Sequence, residues 1–78
     1  MSGNRYTELY RKLKFNITYT RKMQGMTQME LADRIGISRT HMSNIEAPNG
    51  KSGMSLEVLF DIADALGTTL EALFSFRD

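Results

Sequence analysis

Four side chains that can recognise the edges of DNA bases lie close together between Ser38 and Glu46. They are a guanidinium, two hydroxyls and a carboxamide, on Arg39, Thr40, Ser43 and Asn44. If this segment is a helix, 100° per residue puts them on one side, and Met42 and Ile45 on the other. Arginine can pair bidentately with guanine and asparagine with adenine, and a threonine methyl can meet a thymine methyl. The pattern predicts a helix with a base-reading surface.

The residues before this segment predict a second helix that meets it at a tight corner. Thr27 and Glu30 have the spacing of a capping box, which starts a helix that runs to about Ile35. Gly36 follows where the chain must turn, and glycine adopts a positive φ without steric cost. Ser38 is a favourable N-cap for the next helix. The second helix of the pair is therefore oriented by the first.

Three further helices complete the prediction. The first runs from about Arg5 to Gln24, and its apolar residues have the spacing of one buried face, namely Tyr6, Leu9, Tyr10, Leu13 and Ile17. Ser55 caps a fourth helix, which ends at Gly67. Either Thr68 or Thr69 caps a short fifth helix with the sequence TLEALFSF. Because no segment reads as a strand, the fold class is all-α.

Length and composition favour one domain, assigned to residues 1–78. The chain has no cysteine, so a disulfide and a thiolate metal site are excluded. No apolar run reaches membrane-spanning length, and we expect a soluble cytoplasmic protein without a membrane partner. Charge is uneven, with six basic residues against one acid in 1–26 and one against five in 52–78. This polarity suits a polyanionic partner on one side, although an ordinary solvated surface explains it as well.

Residues 17–74 resemble the Xre/Cro-type helix-turn-helix domain, the module of phage repressors and many small bacterial regulators. The matching positions are Arg21, Gly25-Met26-Thr27-Gln28, Glu30-Leu31-Ala32, Ile35-Gly36-Ile37-Ser38, Met42, Ile45-Glu46, Ser55-Leu56 through Ala63, Leu66-Gly67 and Leu73. The resemblance implies a compact five-helix bundle of the phage-repressor type, with the helix-turn-helix at helices 2 and 3. Its core would span 27–46, and residues 1–12 would extend helix 1 beyond the family core.

The resemblance also implies roles for individual residues. Contacts to base edges would come from Arg39, Thr40, Ser43 and Asn44. Gln28 would hold a backbone phosphate at the N-terminus of helix 2, where helices attract anions. Further phosphate contacts are expected from Thr27, Ser38 and Lys51. Arg21 and Glu46 match a family ion pair that ties helix 1 to the end of the recognition helix.

The chain departs from the family pattern in two places. The connection 47–54 is longer than usual and lacks the proline that commonly precedes helix 4. Thr20 and Gln24 occupy positions of helix 1 that are usually apolar, and we expect Met23 to help fill the space. Because of the first departure, the family pattern supports the phosphate contact from Lys51 less strongly than the other expected contacts.

The sequence gives no support for catalysis. No His, Asp or Glu group has metal-ligand spacing, and no glycine-rich loop could hold a phosphate. His41 lies three residues from Ser38, but Ser38 is engaged in capping and no acid follows to orient the histidine. We therefore expect neither an enzyme nor a cofactor or metal.

Two surfaces are candidates for binding another chain. Phe15, Tyr19 and Met23 form a line opposite the apolar stripe of helix 1, either as scattered surface residues or as a contact for a second subunit or protein partner. The competing surface is Leu70, Leu73, Phe74 and Phe76, which the family resemblance favours for dimerisation.

These observations predict a sequence-specific transcriptional regulator that binds double-stranded DNA. We expect a repressor that acts as a homodimer on an inverted repeat. The first alternative is an antitoxin-like or adaptor module whose main role is to bind a protein partner. The second is a helix-turn-helix scaffold that has lost DNA binding, against which the polar residues of the recognition helix argue.

Overall fold

The structure, a computed structural model, describes residues 6–48 and 54–75, and this part of the chain forms five α-helices and no strand. The helices are α1 Thr7–Met23, α2 Gln28–Ile35, α3 Arg39–Glu46, α4 Leu56–Ala65 and α5 Leu70–Leu73. The predicted all-α class and the helix-turn-helix at α2 and α3 are confirmed.

Hydroxyl side chains start four of these helices. Each accepts a hydrogen bond from the backbone amide three residues later, at 2.9–3.1 Å, and the capping residues are Thr27, Ser38, Ser55 and Thr69. At Thr27 the capping box is complete, because the Thr27 amide also donates to Glu30 Oε1 at 2.8 Å. Thr69, rather than Thr68, is the cap of α5. Capping of this kind is worth about 1 kcal/mol per helix.

The corner between α2 and α3 is built on Gly36. Its φ of 75° lies in the left-handed region, where a side chain would be strained. There the Ile37 amide donates to the Ala32 carbonyl at 3.0 Å and the Gly36 amide to the Asp33 carbonyl at 3.3 Å. This Schellman arrangement satisfies the last carbonyls of α2 and turns the chain into α3. The positive φ predicted for Gly36 is confirmed.

The core is formed by side chains from each of the five helices. Its fully buried large side chains are Ile17, Leu31, Met42, Ile45, Ile62 and Leu73. Each contributes about 1.5–3 kcal/mol through removal of its apolar surface from water. Ala32 is also buried, at the position where α2 and α3 pack closely. The core thus holds both helices of the corner in fixed orientation.

The predicted buried stripe of α1 is correct only in its C-terminal half. Leu13 and Ile17 are buried, but Tyr6, Leu9 and Tyr10 are 45–53% exposed. The reason is incomplete packing, since the first turns of α1 face the start of α4 and Phe74 across a space that no side chain of the described residues fills. Its first turns instead line an open apolar groove together with Met54, Leu56, Leu59 and Phe74. The predicted start at Arg5 lies outside the described residues.

The C-terminal surface proposed for dimerisation is not wholly a surface. Leu73 is 1% exposed and belongs to the core, whereas Phe74 is exposed. Helix α5 ends at Leu73, so it is shorter than the predicted TLEALFSF segment. Phe76 lies outside the described residues. Leu73 is therefore unavailable for the subunit contact that was expected of it.

Met23 does not fill the space beside Thr20 and Gln24. It is 68% exposed, and the expectation that it packs inward is wrong. Gln24 instead uses its polarity, because its Nε2 donates to the Leu66 carbonyl at 2.6 Å. Leu66 is the C-cap of α4 and Gln24 the C-cap of α1, so a side chain at the end of α1 satisfies a carbonyl at the C-terminus of α4.

Candidate nucleic-acid interface

Helix α3 presents its polar side to solvent. Met42 and Ile45 are fully buried, and this fixes the rotation of the helix about its axis. The four residues predicted to contact bases are all exposed, namely Arg39, Thr40, Ser43 and Asn44. Their side chains are a charged donor fork, two hydroxyls and an amide, which together can donate to and accept from base edges.

An ion pair fixes the C-terminal end of α3 to α1. Arg21 Nε donates to Glu46 Oε2 at 2.7 Å, and Arg21 Nη2 donates to Glu46 Oε1 at 2.8 Å. Arg21 Nη1 also donates to the Met26 carbonyl at 2.6 Å, and both charged residues are buried. The bidentate geometry and the short distances are those of a strong charge-assisted pair. The pair predicted from the family pattern is thus present in the structure.

Gln28 is joined to the same carboxylate. Its Nε2 donates to Glu46 Oε1 at 2.9 Å, so one carboxylate links α1, α2 and α3. Burial raises the pKa of Glu46, but hydrogen bonds from Arg21 and Gln28, with the charge of Arg21, outweigh burial and hold the pKa below its ordinary value. The second Nε2 hydrogen of Gln28 is the group that could reach a phosphate at the N-terminus of α2.

The other residues predicted to contact phosphate lie at helix N-termini, with one exception. Thr27 and Ser38 are the exposed N-caps of α2 and α3. Hydrogen bonding to Thr27 lowers the pKa of Glu30, and the bond from the Thr27 amide has the largest effect. The Glu30 carboxylate therefore stays negative beside Thr27. The first turn of α3 contains no acid, so Ser38 has no such negative neighbour. Lys51 lies outside the described residues.

Lys14 contributes to this region in a way that the sequence reasoning missed. It is 3% exposed, and its Nζ donates to the Ala47 carbonyl at 3.2 Å, just beyond the C-terminus of α3. Burial lowers the pKa of the ammonium. A cation is favourable at a helix C-terminus, where the carbonyls carry partial negative charge. The signal was its position between Leu13 and Ile17, on the edge of the buried face.

Other kinds of site find no support in the described ranges. Among residues 6–48 and 54–75, no cluster of His, Asp or Glu could hold a metal ion. None of the helices in these ranges is long and apolar enough to span a bilayer. The polar face of α3 and the N-termini of α2 and α3 therefore form the candidate site.

Comparison with known proteins gives the family of this fold. A profile of the helix-turn-helix family matches residues 17–73. An uncharacterised helix-turn-helix-type transcriptional regulator of Methanocaldococcus jannaschii is 35% identical over 66 residues, which cover 85% of this chain and 97% of the relative. A similarly named regulator of Archaeoglobus fulgidus is also 35% identical over 66 residues, covering 85% and 91%.

A relative with a named role matches over a smaller part of its length. The competence pilus inhibition repressor of Acinetobacter baylyi is 36% identical over 58 residues, which cover 74% of this chain and 51% of the repressor. No solved structure matches significantly. From the profile match and the arrangement of α2 and α3, the chain belongs to the Xre/Cro-type helix-turn-helix family of DNA-binding transcriptional regulators.

Proposed function

We propose that this protein is a sequence-specific repressor that binds an inverted repeat in double-stranded DNA as a homodimer. The observation that carries the proposal is the division of α3 into a fully buried apolar side and an exposed side of Arg39, Thr40, Ser43 and Asn44. A helix held in this way can enter a major groove with a fixed register.

The exposed side of α3 supplies the sequence preference. Arg39 is the first residue of α3 and pairs with guanine O6 and N7, while Asn44 pairs with adenine N6 and N7. Thr40 adds a methyl group and a hydroxyl, and Ser43 adds a second hydroxyl. Each bidentate pair is worth about 1–3 kcal/mol of discrimination against the wrong base.

Phosphate contacts from the helix N-termini set the register of α3 on the duplex. Ser38 is the stronger of the two capping candidates, because its hydroxyl accepts from the His41 amide and keeps its proton for a phosphate oxygen. Thr27 is weaker, since the Glu30 carboxylate beside it repels phosphate. Gln28 and Lys51 complete the proposed set, with Gln28 held in place by Glu46.

Repression is proposed as a steric effect of promoter occupancy. Two recognition helices related by a two-fold axis would reach half-sites about 34–36 Å apart on one face of the duplex. A dimer bound there excludes other proteins from that stretch of DNA. The similarity to the Acinetobacter baylyi repressor supports this direction of regulation.

Selection from a random pool of duplexes tests the proposal. At near-physiological salt, weak non-specific binding falls away, and we expect an inverted repeat to be enriched. A variant with Arg39, Thr40 and Asn44 all replaced by alanine should enrich nothing while remaining folded. A folded wild-type protein that enriches no sequence would refute the proposal and favour the module that binds a protein partner.

A further inference from the structure

The outward side of α1 carries two aromatic side chains that stack on each other and remain more than half exposed. Phe15 is 65% and Tyr19 55% exposed, and their rings stack with centroids 6.1 Å apart and planes inclined by 17°. Phe15 points directly away from the core, because the buried Leu13 and Ile17 each lie about 160° from it around the helix. A second helix could therefore approach the solvent-facing side of Phe15, next to the open concavity that Phe15 lines with Tyr19 and Ser75.

The residues before and after Phe15 form two complementary pairs, and the members of each pair are equally far from Phe15 in the sequence. Glu8 lies seven residues before Phe15 and Lys22 seven residues after it, while Arg11 and Tyr19 lie four before and four after. All four are exposed and lie within about 40° of Phe15 around the helix. The face that these five residues form is called the α1 face below.

We propose that a second copy of this chain covers the α1 face, by antiparallel pairing of α1 about a two-fold axis at Phe15. In this register Phe15 meets the partner's Phe15, Arg11 lies over the ring of the partner's Tyr19, and Glu8 meets the partner's Lys22. The inference rests on the proposed homodimer and names its interface. The described candidate DNA contacts belong to α2, α3 and their N-caps, and none of them is part of the α1 face.

Complementarity to itself is what identifies the occupant as a second copy. A two-fold axis places the same surface on both sides, so a face must be its own complement. Antiparallel pairing at Phe15 gives two Glu–Lys pairs and two Arg–Tyr cation–π contacts. Parallel pairing would instead set like charges against each other at both ends, which is unfavourable.

Formation of the interface displaces little existing structure. Within one chain Glu8 Oε1 lies 3.9 Å from Arg11 Nη1, and both side chains are more than half exposed, so that ion pair is weak. A 17-residue helix is about 25 Å long, and one helix pair gives an interface at the small end of specific ones. We expect a weak dimer that tightens on DNA, where two half-sites hold two copies together.

Charge exchange at the ends of the α1 face tests the pairing without DNA. Sedimentation equilibrium at low ionic strength should show that Glu8→Lys and Lys22→Glu each raise the dimer Kd about tenfold. The double variant should return to within about threefold of the wild type. Glu57→Lys, an exposed change of the same charge on α4, is the matched control and should leave the Kd unaltered.

Changes in helix stability would rank the variants in a different order from the one expected for dimerisation. They therefore cannot account for recovery of the dimer in the double variant. Glu8 lies in the first turn of α1 and Lys22 in the last, where each complements the helix dipole. The double variant should therefore be the least stable in thermal unfolding, yet it should recover dimerisation. Single variants and a double variant that all dimerise like the wild type would overturn the proposal.

Disulfide formation provides a second test, because the chain has no cysteine of its own. Helix axes 8–10 Å apart bring the two Cα atoms at the axis position to about 4–5 Å, within reach of a disulfide. Phe15→Cys should oxidise to a covalent dimer. Met23→Cys, equally exposed on the same helix, should not, since antiparallel pairing puts those two positions about 24 Å apart.

Failure of this inference is distinguishable from failure of the proposed function. If an inverted repeat is enriched but the dimer Kd is the same in all charge variants, the proposed function stands and the interface lies on another surface. Charge rescue without any enriched sequence would keep the interface and remove the operator-binding role. A wild-type protein that stays monomeric up to about 1 mM without DNA would overturn the interface.

Discussion

At the scale of single residues, the Glu46 carboxylate couples the recognition helix to two other helices. It accepts from Arg21 on α1 and from Gln28 on α2 while lying at the last position of α3. A buried ion pair contributes little net stability compared with apolar packing, because desolvation offsets the attraction. What this one provides is geometry, since α3 cannot rotate or shift without breaking hydrogen bonds to both partners.

The pH dependence of stability should report this junction. Because the pKa of Glu46 is lowered in the folded protein, the pair stabilises the fold above the unfolded pKa of about 4.3, and this contribution is lost as the pH falls through the folded pKa. Glu46→Gln should cost about 3–5 kcal/mol near pH 7, where it leaves Arg21 charged and unpaired. The cost should shrink towards about pH 3 in urea unfolding.

Two variants make that comparison secure. Glu8→Gln, at an exposed glutamate with only a distant ion pair, should show little change at either pH. Where Glu46→Gln is too unstable to measure, Arg21→Met combined with Glu46→Leu removes both charges and restores most of the stability. A cost of Glu46→Gln that is the same at both pH values would contradict the expectation.

The role of Arg39 is also a single-residue matter. Arg39→Ala should weaken the selected site by about 1–3 kcal/mol and relax the preference at one base pair, because it removes the proposed bidentate pairing with guanine. Competition binding against all substitutions of the site measures both effects. Arg34→Ala is the matched control, since Arg34 lies beside Asp61 and Asp64 of α4. Loss of affinity without loss of preference would mean that Arg39 contacts phosphate instead.

At the scale of elements, helix boundaries were more predictable than helix environments. The caps at Thr27, Ser38 and Ser55 and the turn at Gly36 are set by local chemistry, and the structure has each where the sequence predicts it. Periodicity along α1 identifies its apolar side but carries no information on how closely the other helices pack against each turn. For that reason Tyr6 and its neighbours were expected in the core and are half exposed.

Ser38 and Ser55 allow the capping and binding roles of a hydroxyl to be separated. Both cap a helix with nearly the same geometry, at 2.9 and 3.1 Å to the amide three residues later. Ser38→Ala and Ser55→Ala should each lower the free energy of unfolding by about 1 kcal/mol. Only Ser38→Ala should also weaken DNA binding, by a similar amount for every sequence, because a phosphate contact carries no sequence information.

Fluorescence anisotropy with a specific and an unrelated duplex, on protein shown to be fully folded at the assay temperature, measures this difference. Equal losses of affinity in the two variants would attribute the effect to stability alone. An effect of Ser38→Ala confined to the specific duplex would instead place its hydroxyl at a base edge.

At the scale of the whole molecule, the candidate site divides into parts that the sequence reveals and parts that require the fold. The exposed side of α3 follows from residue type and spacing. Two contacts depend on how α1, α2 and α3 pack together, namely those from Gln28 to Glu46 and from Lys14 to the Ala47 carbonyl. The spacing of residues within one helix cannot predict such contacts between helices. Subunit arrangement is one step further removed, because it depends on surfaces that a single chain leaves open.

Half-site spacing is the property of the proposed dimer that DNA binding would report directly. With the two recognition helices fixed by a two-fold axis, the selected inverted repeat should have half-site centres about 10 bp apart. Inserting about 5 bp at the centre turns the half-sites to opposite faces of the duplex and should reduce affinity to that of an isolated half-site. Inserting about 10 bp returns the half-sites to one face of the duplex but doubles their separation, so a rigid dimer should recover little affinity. Full recovery of affinity would show that the two copies bind without a fixed interface.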